Sequence, residues 1–136
     1  MASGIYDGFK ADLMEGRVDI GTGGDTIKVA LLDSSHSFVA GDDVWSDISA
    51  NEVSGTAYVA GGATLAGQAV TEATTTKWDG TDVTWAASTI TARYAVLYDT
   101  TNTNSLIACI DFGEDKSSVG ADFVIQWHAN GIITLA

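Results

Sequence analysis

The stretch Ser88–Asp99, STITARYAVLYD, decides how the chain is read. Ile90, Ala92, Tyr94, Val96 and Tyr98 alternate with Thr91, Arg93, Ala95 and Leu97. A period of two with apolar residues on both faces is the pattern of a central β-strand covered on each side. On this reading the first five residues share one face.

The same texture extends in both directions. Upstream, TIKVALLD (26–33), VWSDIS (44–49), TAYVA (56–60), ATLAGQAVT (63–71), TTKW (75–78) and DVTWA (82–86) read as short strands. SLIACIDFG (105–113), ADFVIQWH (121–128) and GIITLA (131–136) follow downstream, with GG, DG, TNTN, GEDKSS and ANG as turn-formers between them. Many short strands with regular turn signals predict an all-β single domain, a β-sandwich or barrel. Only the N-terminal segment, 1–20, shows helical spacing, through Ile5, Tyr6, Phe9 and Leu13, with Ser3 as cap and Gly16 as stop. The sandwich is expected over 25–136, and the whole of 1–136 as one domain.

Glu52–Gly67, EVSGTAYVAGGATLAG, is rich in glycine. A phosphate-cradling loop needs a lysine and a following helix. Neither is present, so the stretch reads as sheet with a Gly61-Gly62 turn.

Charge restricts the partners. Eighteen acidic residues against six basic ones give a net charge of −12, and the six cations are scattered. Nucleic acid and anionic membranes are disfavoured, because both demand clustered lysine and arginine. No apolar run approaches the ~18 residues of a membrane span, and the start lacks the pattern of a secretory signal. The single cysteine, Cys109, lies in an apolar run and reads as a buried small hydrophobe. These features suggest assembly in a reducing compartment.

Motifs with chemistry are weak. Asp79 and Asp82 resemble a calcium loop but read better as a turn, and Asp42, Asp43 and Asp47 read as solvated acids. His36 and His128 belong to no triad or metal motif, and a metal-dependent hydrolase would need one of them to meet two carboxylates. No catalytic residue, metal site or cofactor is expected, and the chain reads as no enzyme. Trp127 reads as core, whereas Trp45, Trp78 and Trp85 stand beside turns, where tryptophan is capable of stacking on a sugar or anchoring a protein.

Taken as a series, YDGFKADLMEG, DTIKVALLDSSHSF, VWSDIS, EVSGTAYVAGGATLAG, WDGTDVTW, TITARYAVLYD, LIACIDFG and WHANGIITLA cover nearly the whole chain. The series resembles small virion structural proteins of tailed phages, of the capsid cement (decoration) kind, some of which have a jelly-roll fold, so the resemblance implies an all-β, single-domain β-sandwich, jelly-roll-like. The resemblance implies a homo-oligomer, dimer or trimer, bound to the major capsid protein on the outer surface of the head. It also implies assembly in the host bacterial cytoplasm, and it brings no catalytic residues. Ile5, Tyr6, Phe9 and Leu13 are then candidates for a capsid or oligomer contact. The alternative is a receptor- or glycan-binding module of a tail or head fibre, working through Trp45, Trp78 and Trp85.

Overall fold

A computed structural model describes residues 3–136. Its strands are β1 (Gly4–Ile5), β2 (Ile27–Leu32), β3 (Ala63–Thr64), β4 (Ala69–Thr71), β5 (Thr76–Asp79), β6 (Val83–Asp99), β7 (Ser105–Ile125) and β8 (Ile133–Leu135), with one helix, α1 (Asp7–Glu15). A five-stranded antiparallel sheet, in the order β1-β7-β6-β2-β3, packs against a three-stranded one, β4-β5-β8. The fold is an all-β sandwich with a short N-terminal helix.

The main core lies between the sheets. Ile27, Val29, Leu31, Leu97 and Ile107 of the larger sheet meet Trp78 and Ile133 of the smaller one, and Phe9 of α1 joins them. A second core covers the opposite face of the larger sheet. There Ala30, Leu32, Tyr94, Val96, Tyr98 and Cys109 lie beneath Ile48, Phe38 and Trp45 from the segment 33–53. Both faces of β2 and of the stretches Tyr94–Asp99 and Leu106–Cys109 are therefore buried, whereas Thr89 and Thr91 farther along β6 are exposed.

The face assignment of that stretch needs correction. Ile90 and Ala92 enter the main core together with Ala95 and Leu97, whereas Tyr94, Val96 and Tyr98 enter the second. A register shift between Ala92 and Tyr94 causes the exchange. One irregular step inverts every later side chain, because the strand period is two.

Several predicted strands merge or vanish. DVTWA and STITARYAVLYD form the single strand β6, and SLIACIDFG through ADFVI form β7, with GEDKSS inside the strand. VWSDIS is not a strand: Trp45–Asp47 is a 3₁₀ turn, closed by the Asp47 carboxylate accepting the N–H groups of Asp43 and Val44 at 3.0 Å each. Most of Glu52–Gly67 is a pinned loop, and only β3 of it is sheet. Tyr58 accepts the Leu31 N–H at 3.0 Å and donates to Glu52 at 2.7 Å, while Tyr98 donates to the Gly61 carbonyl at 2.6 Å. Ala57, Gly61 and Gly62 have φ of 67°, 92° and 84°, which regular pairing does not tolerate.

At the N-terminus the helix starts later than the segment 1–20 suggested. Gly4 and Ile5 pair with Cys109 and Ala108 as β1, so Ser3 does not cap the helix. Its hydroxyl accepts the Asp111 N–H at 2.8 Å instead. Gly16 ends the helix as expected, at φ 71°, with Arg17 N–H donating to the Asp12 carbonyl at 2.9 Å.

Gly62 and Gly23 both have positive φ, 84° and 75°, but a Cβ on Gly62 would collide with the Val29 carbonyl, whereas Gly23 faces open space. Urea denaturation is expected to show Gly23→Ala costing about 1 kcal/mol and Gly62→Ala about 3 kcal/mol or more, because β2 must move. Equal costs would mean that Gly62 does not lie against β2.

Candidate functional site

The main concavity follows the outer side of β7. It is an open groove of about 560 Å³, lined by Ile110, Phe112, Phe123, Ile125, Trp127 and Ile132, with Lys116, Asp122, Gln126 and His128 among its polar residues. That volume lies in the range of ligand-binding clefts.

The groove is built by the local sequence. Its wall is Trp127, which the sequence reading placed in the core. The tryptophan is half-buried, and its indole N–H donates to the Thr81 carbonyl at 3.0 Å. Its backbone N–H donates to Asp82 at 2.9 Å. Asp82 thus positions an aromatic ring, and Asp79 accepts the neighbouring Gly80 N–H at 2.8 Å, so DGTD works as a turn. The ANG turn follows: Gly131 N–H donates to the His128 carbonyl at 2.8 Å, and Asn130 N–H donates to His128 Nδ1 at 3.0 Å. The floor continues the core, with Phe123 between Phe112 and Trp85 at ring-centroid distances of 6.3 and 6.1 Å.

Beside the groove runs an unpaired strand edge. β7 pairs with β6 on one side; on the other its first residues are covered, Ala108 and Cys109 by β1, Ser105 by a bridge to Val44, the Leu106 N–H by the Asp43 carbonyl and the Ile107 carbonyl by the Tyr6 N–H. Beyond Ile110 this outer edge has no strand neighbour among the described residues. Phe123–Ile125 is the stretch where β7 opposes Val83–Trp85 in regular register. In such a pair every second residue turns its N–H and C=O outward.

The candidate contact residues lie elsewhere. Tyr6 and Phe9 are buried within their own chain, and Ile5 and Leu13 are half-buried against the main core. Helix α1 therefore packs on the sandwich and presents none of these four as a free arm. Trp78 and Trp85 are only 2% and 6% exposed, and Trp45 stacks on Tyr98 at 4.8 Å. The three tryptophans do not share an exposed face. The signal missed in the sequence is the polarity around Trp127, in QWHANG, which is unusual for a core position.

The titratable groups do not converge either. His36 is buried in the second core edge-on to Tyr94, far in the fold from His128 in the groove. Among the described residues no three His, Cys, Asp or Glu side chains are placed to hold a metal ion. Burial pushes the Cys109 thiol up to about 12, beside the Tyr6 hydroxyl, which leaves it unreactive at neutral pH. The Asp111 carboxylate is held below its usual range by Arg93, whose Nε lies 2.7 Å away, and by the Gly113 N–H.

No protein-family model, curated protein or solved structure matches the chain.

Two buried groups make stability depend on pH, in opposite senses. Burial, together with the adjacent Asp25 carboxyl, raises Asp99 to about 6 against the N–H groups of Thr101 and Asn102, which favour its charged form. Its contribution is complete below the usual carboxylate pKa and is lost as pH rises through about 6. Burial lowers His36, against the pull of Asp42 and Asp33. Its contribution is complete above the ordinary histidine value and is lost as pH falls below it. Thermal melts of Asp99→Asn are expected to lack the loss of stability that runs from the usual carboxylate pKa up to about 6, and melts of His36→Gln to lack the loss on the acid side. A wild-type pH profile unchanged by both substitutions would contradict these assignments.

Proposed function

We propose that the chain is a structural protein of a tailed-phage virion. In this reading it is a capsid cement protein that binds the outer surface of the head as a dimer or trimer and holds neighbouring subunits of the major capsid protein together against internal DNA pressure. The observation that carries the reading is the exposed apolar groove beside an open strand edge, a surface made for contact. The resemblance of the motif series supplies the partner. The net charge of −12 suits an exterior position over the DNA-filled interior.

The mechanism is mass action. A protein that binds only the assembled shell stabilises it by about 2.7 kcal/mol per site at a hundredfold excess over Kd. Repetition by symmetry multiplies that term over the lattice. In this account the docking surface is the groove, with Phe112, Trp127 and Ile132 as anchors, in place of Ile5, Tyr6, Phe9 and Leu13.

The second reading, a receptor- or glycan-binding module of a tail or head fibre, draws on one observation. Trp127 is half-buried in a groove it shares with Asp122, Gln126 and His128. An aromatic plane beside polar groups suits a sugar ring. Trp45, Trp78 and Trp85 do not serve this reading.

Empty shells assembled from the major capsid protein of the same genome, lacking this chain, are the test material. Saturable co-sedimentation and a higher melting temperature of the shells are expected. Trp127→Ala is expected to weaken binding by about thirtyfold, as for an interface hot spot. Absence of binding would overturn the cement reading, and saturable quenching of tryptophan fluorescence by a glycan would favour the second.

A further inference from the structure

We propose that the outer edge of β7 around Ala121–Ile125, with the groove beside it, binds an extended polypeptide segment in which apolar and basic residues alternate, by adding it to the sheet as a strand. Three observations combine at this place.

The first is the backbone. β7 is 21 residues long, yet among the described residues the backbone partners on its outer edge lie within Ser105–Asp111. An unpaired edge offers a row of N–H and C=O groups to an incoming strand. Natural edges are commonly blunted by proline or inward-pointing charges. There is no proline in the chain, and Phe123 and Ile125 are the inward residues of this stretch.

The second is the alternation of surroundings. An added strand would point one set of side chains inward, into the groove between Phe112, Trp127 and Ile132. The other set would point outward, beside Asp122 and Val124, both exposed, Val124 to 52%. The inward positions therefore select apolar residues.

The third is charge. Asp122, whose Oδ1 accepts the Ala87 N–H at 3.2 Å, and Asp82, which accepts the Trp127 N–H, lie beside this edge, and Lys116 in the groove is paired with Glu114 at 3.1 Å. The outward positions therefore select lysine or arginine. A second copy of this chain is the wrong occupant, because edge-to-edge pairing would bring two molecules of net charge −12 together with Asp122 near the seam. A partner of this chemistry need not be a capsid subunit.

The test uses the full chain and an acetylated peptide of alternating valine and lysine, about eight residues long, roughly the reach of one strand. Two further peptides serve as comparisons, one with glutamate in place of lysine and one with the valines and lysines in separate blocks. Isothermal titration is expected to show saturable binding of the alternating lysine peptide, about tenfold or more tighter than either comparison peptide and weakened by salt. Amide shifts in the wild-type protein should map to residues 121–126. Equal binding of the block peptide would reduce the effect to general attraction by an acidic protein and overturn the proposal. So would shifts mapping elsewhere, absence of saturable binding, or concentration-dependent dimerisation that protects the same edge.

Discussion

The rest of the structure depends on the irregular step where β6 meets β7 at Arg93 and Asp111. Ala92 opposes Lys116 and Tyr94 opposes Asp111, so one residue of β6 faces the four-residue excursion Phe112–Asp115 of β7. The Asp111 carboxylate closes it, accepting Arg93 Nε at 2.7 Å and the Gly113 N–H at 2.8 Å, with Gly113 at φ 84°. The Arg93 guanidinium lies 5.6 Å over the Tyr94 ring. Without this step Ile90 and Ala92 would share a face with Tyr94, Val96 and Tyr98; another shift, between Trp85 and Ser88, changes the phase again farther along. With it, the ribbon switches phase: near the hairpin tip it forms the middle of a two-faced sheet, and farther away it lines one side of the main core. Extra strand residues of this kind bend and twist a sheet locally. The excursion also brings Phe112 to the groove.

Much of this was legible in the residues. Two-sided apolar alternation identified Ser88–Asp99 as a central strand, alternation marked TIKVALLD as a strand, and Gly16 as a helix stop needed only its capacity for positive φ. The reading of Glu52–Gly67 as sheet holds only for Ala63–Thr64. Less legible was anything set by long-range hydrogen bonds. Nothing local in GEDKSS says that it continues a strand, because the reason is Arg93, 18 residues away from its partner Asp111. Nothing in VWSDIS reveals that Asp47 turns back on Asp43 and Val44. The glycine-rich stretch is a loop because Tyr58, Glu52 and Tyr98 hold it over β2, contacts that no window of sequence contains.

The candidate site was the least legible part, for a physical reason. Tryptophan serves cores and contact surfaces equally well, and the difference lies in what packs on the ring. Trp78 is enclosed because β5 is the middle strand of the smaller sheet. Trp127 follows the end of β7, where Asp82 and Thr81 hold the ring in place without covering it. Of the residues at helical spacing only Phe9 and Leu13 lie on α1 and face the main core, whereas Ile5 belongs to β1 and Tyr6 precedes the helix and enters the second core. An apolar stripe states that a residue needs cover and is silent on what provides it.

The central claim is that β7 works with two unlike edges: one is the spine of the fold, the other is left open beside an apolar groove. Native-state amide hydrogen exchange of the free protein tests it most directly. The account predicts that amides of β6 and of β7 directed toward each other exchange only with global opening, together with those of β2. Outward-directed amides among residues 121–126 should exchange far faster, as unpaired edge groups do. Uniform slow exchange on both edges would show that the outer edge is already covered. Fast exchange along the inner edge near Val83–Trp85 would show that the ribbon is not part of the core, and either result would contradict the account.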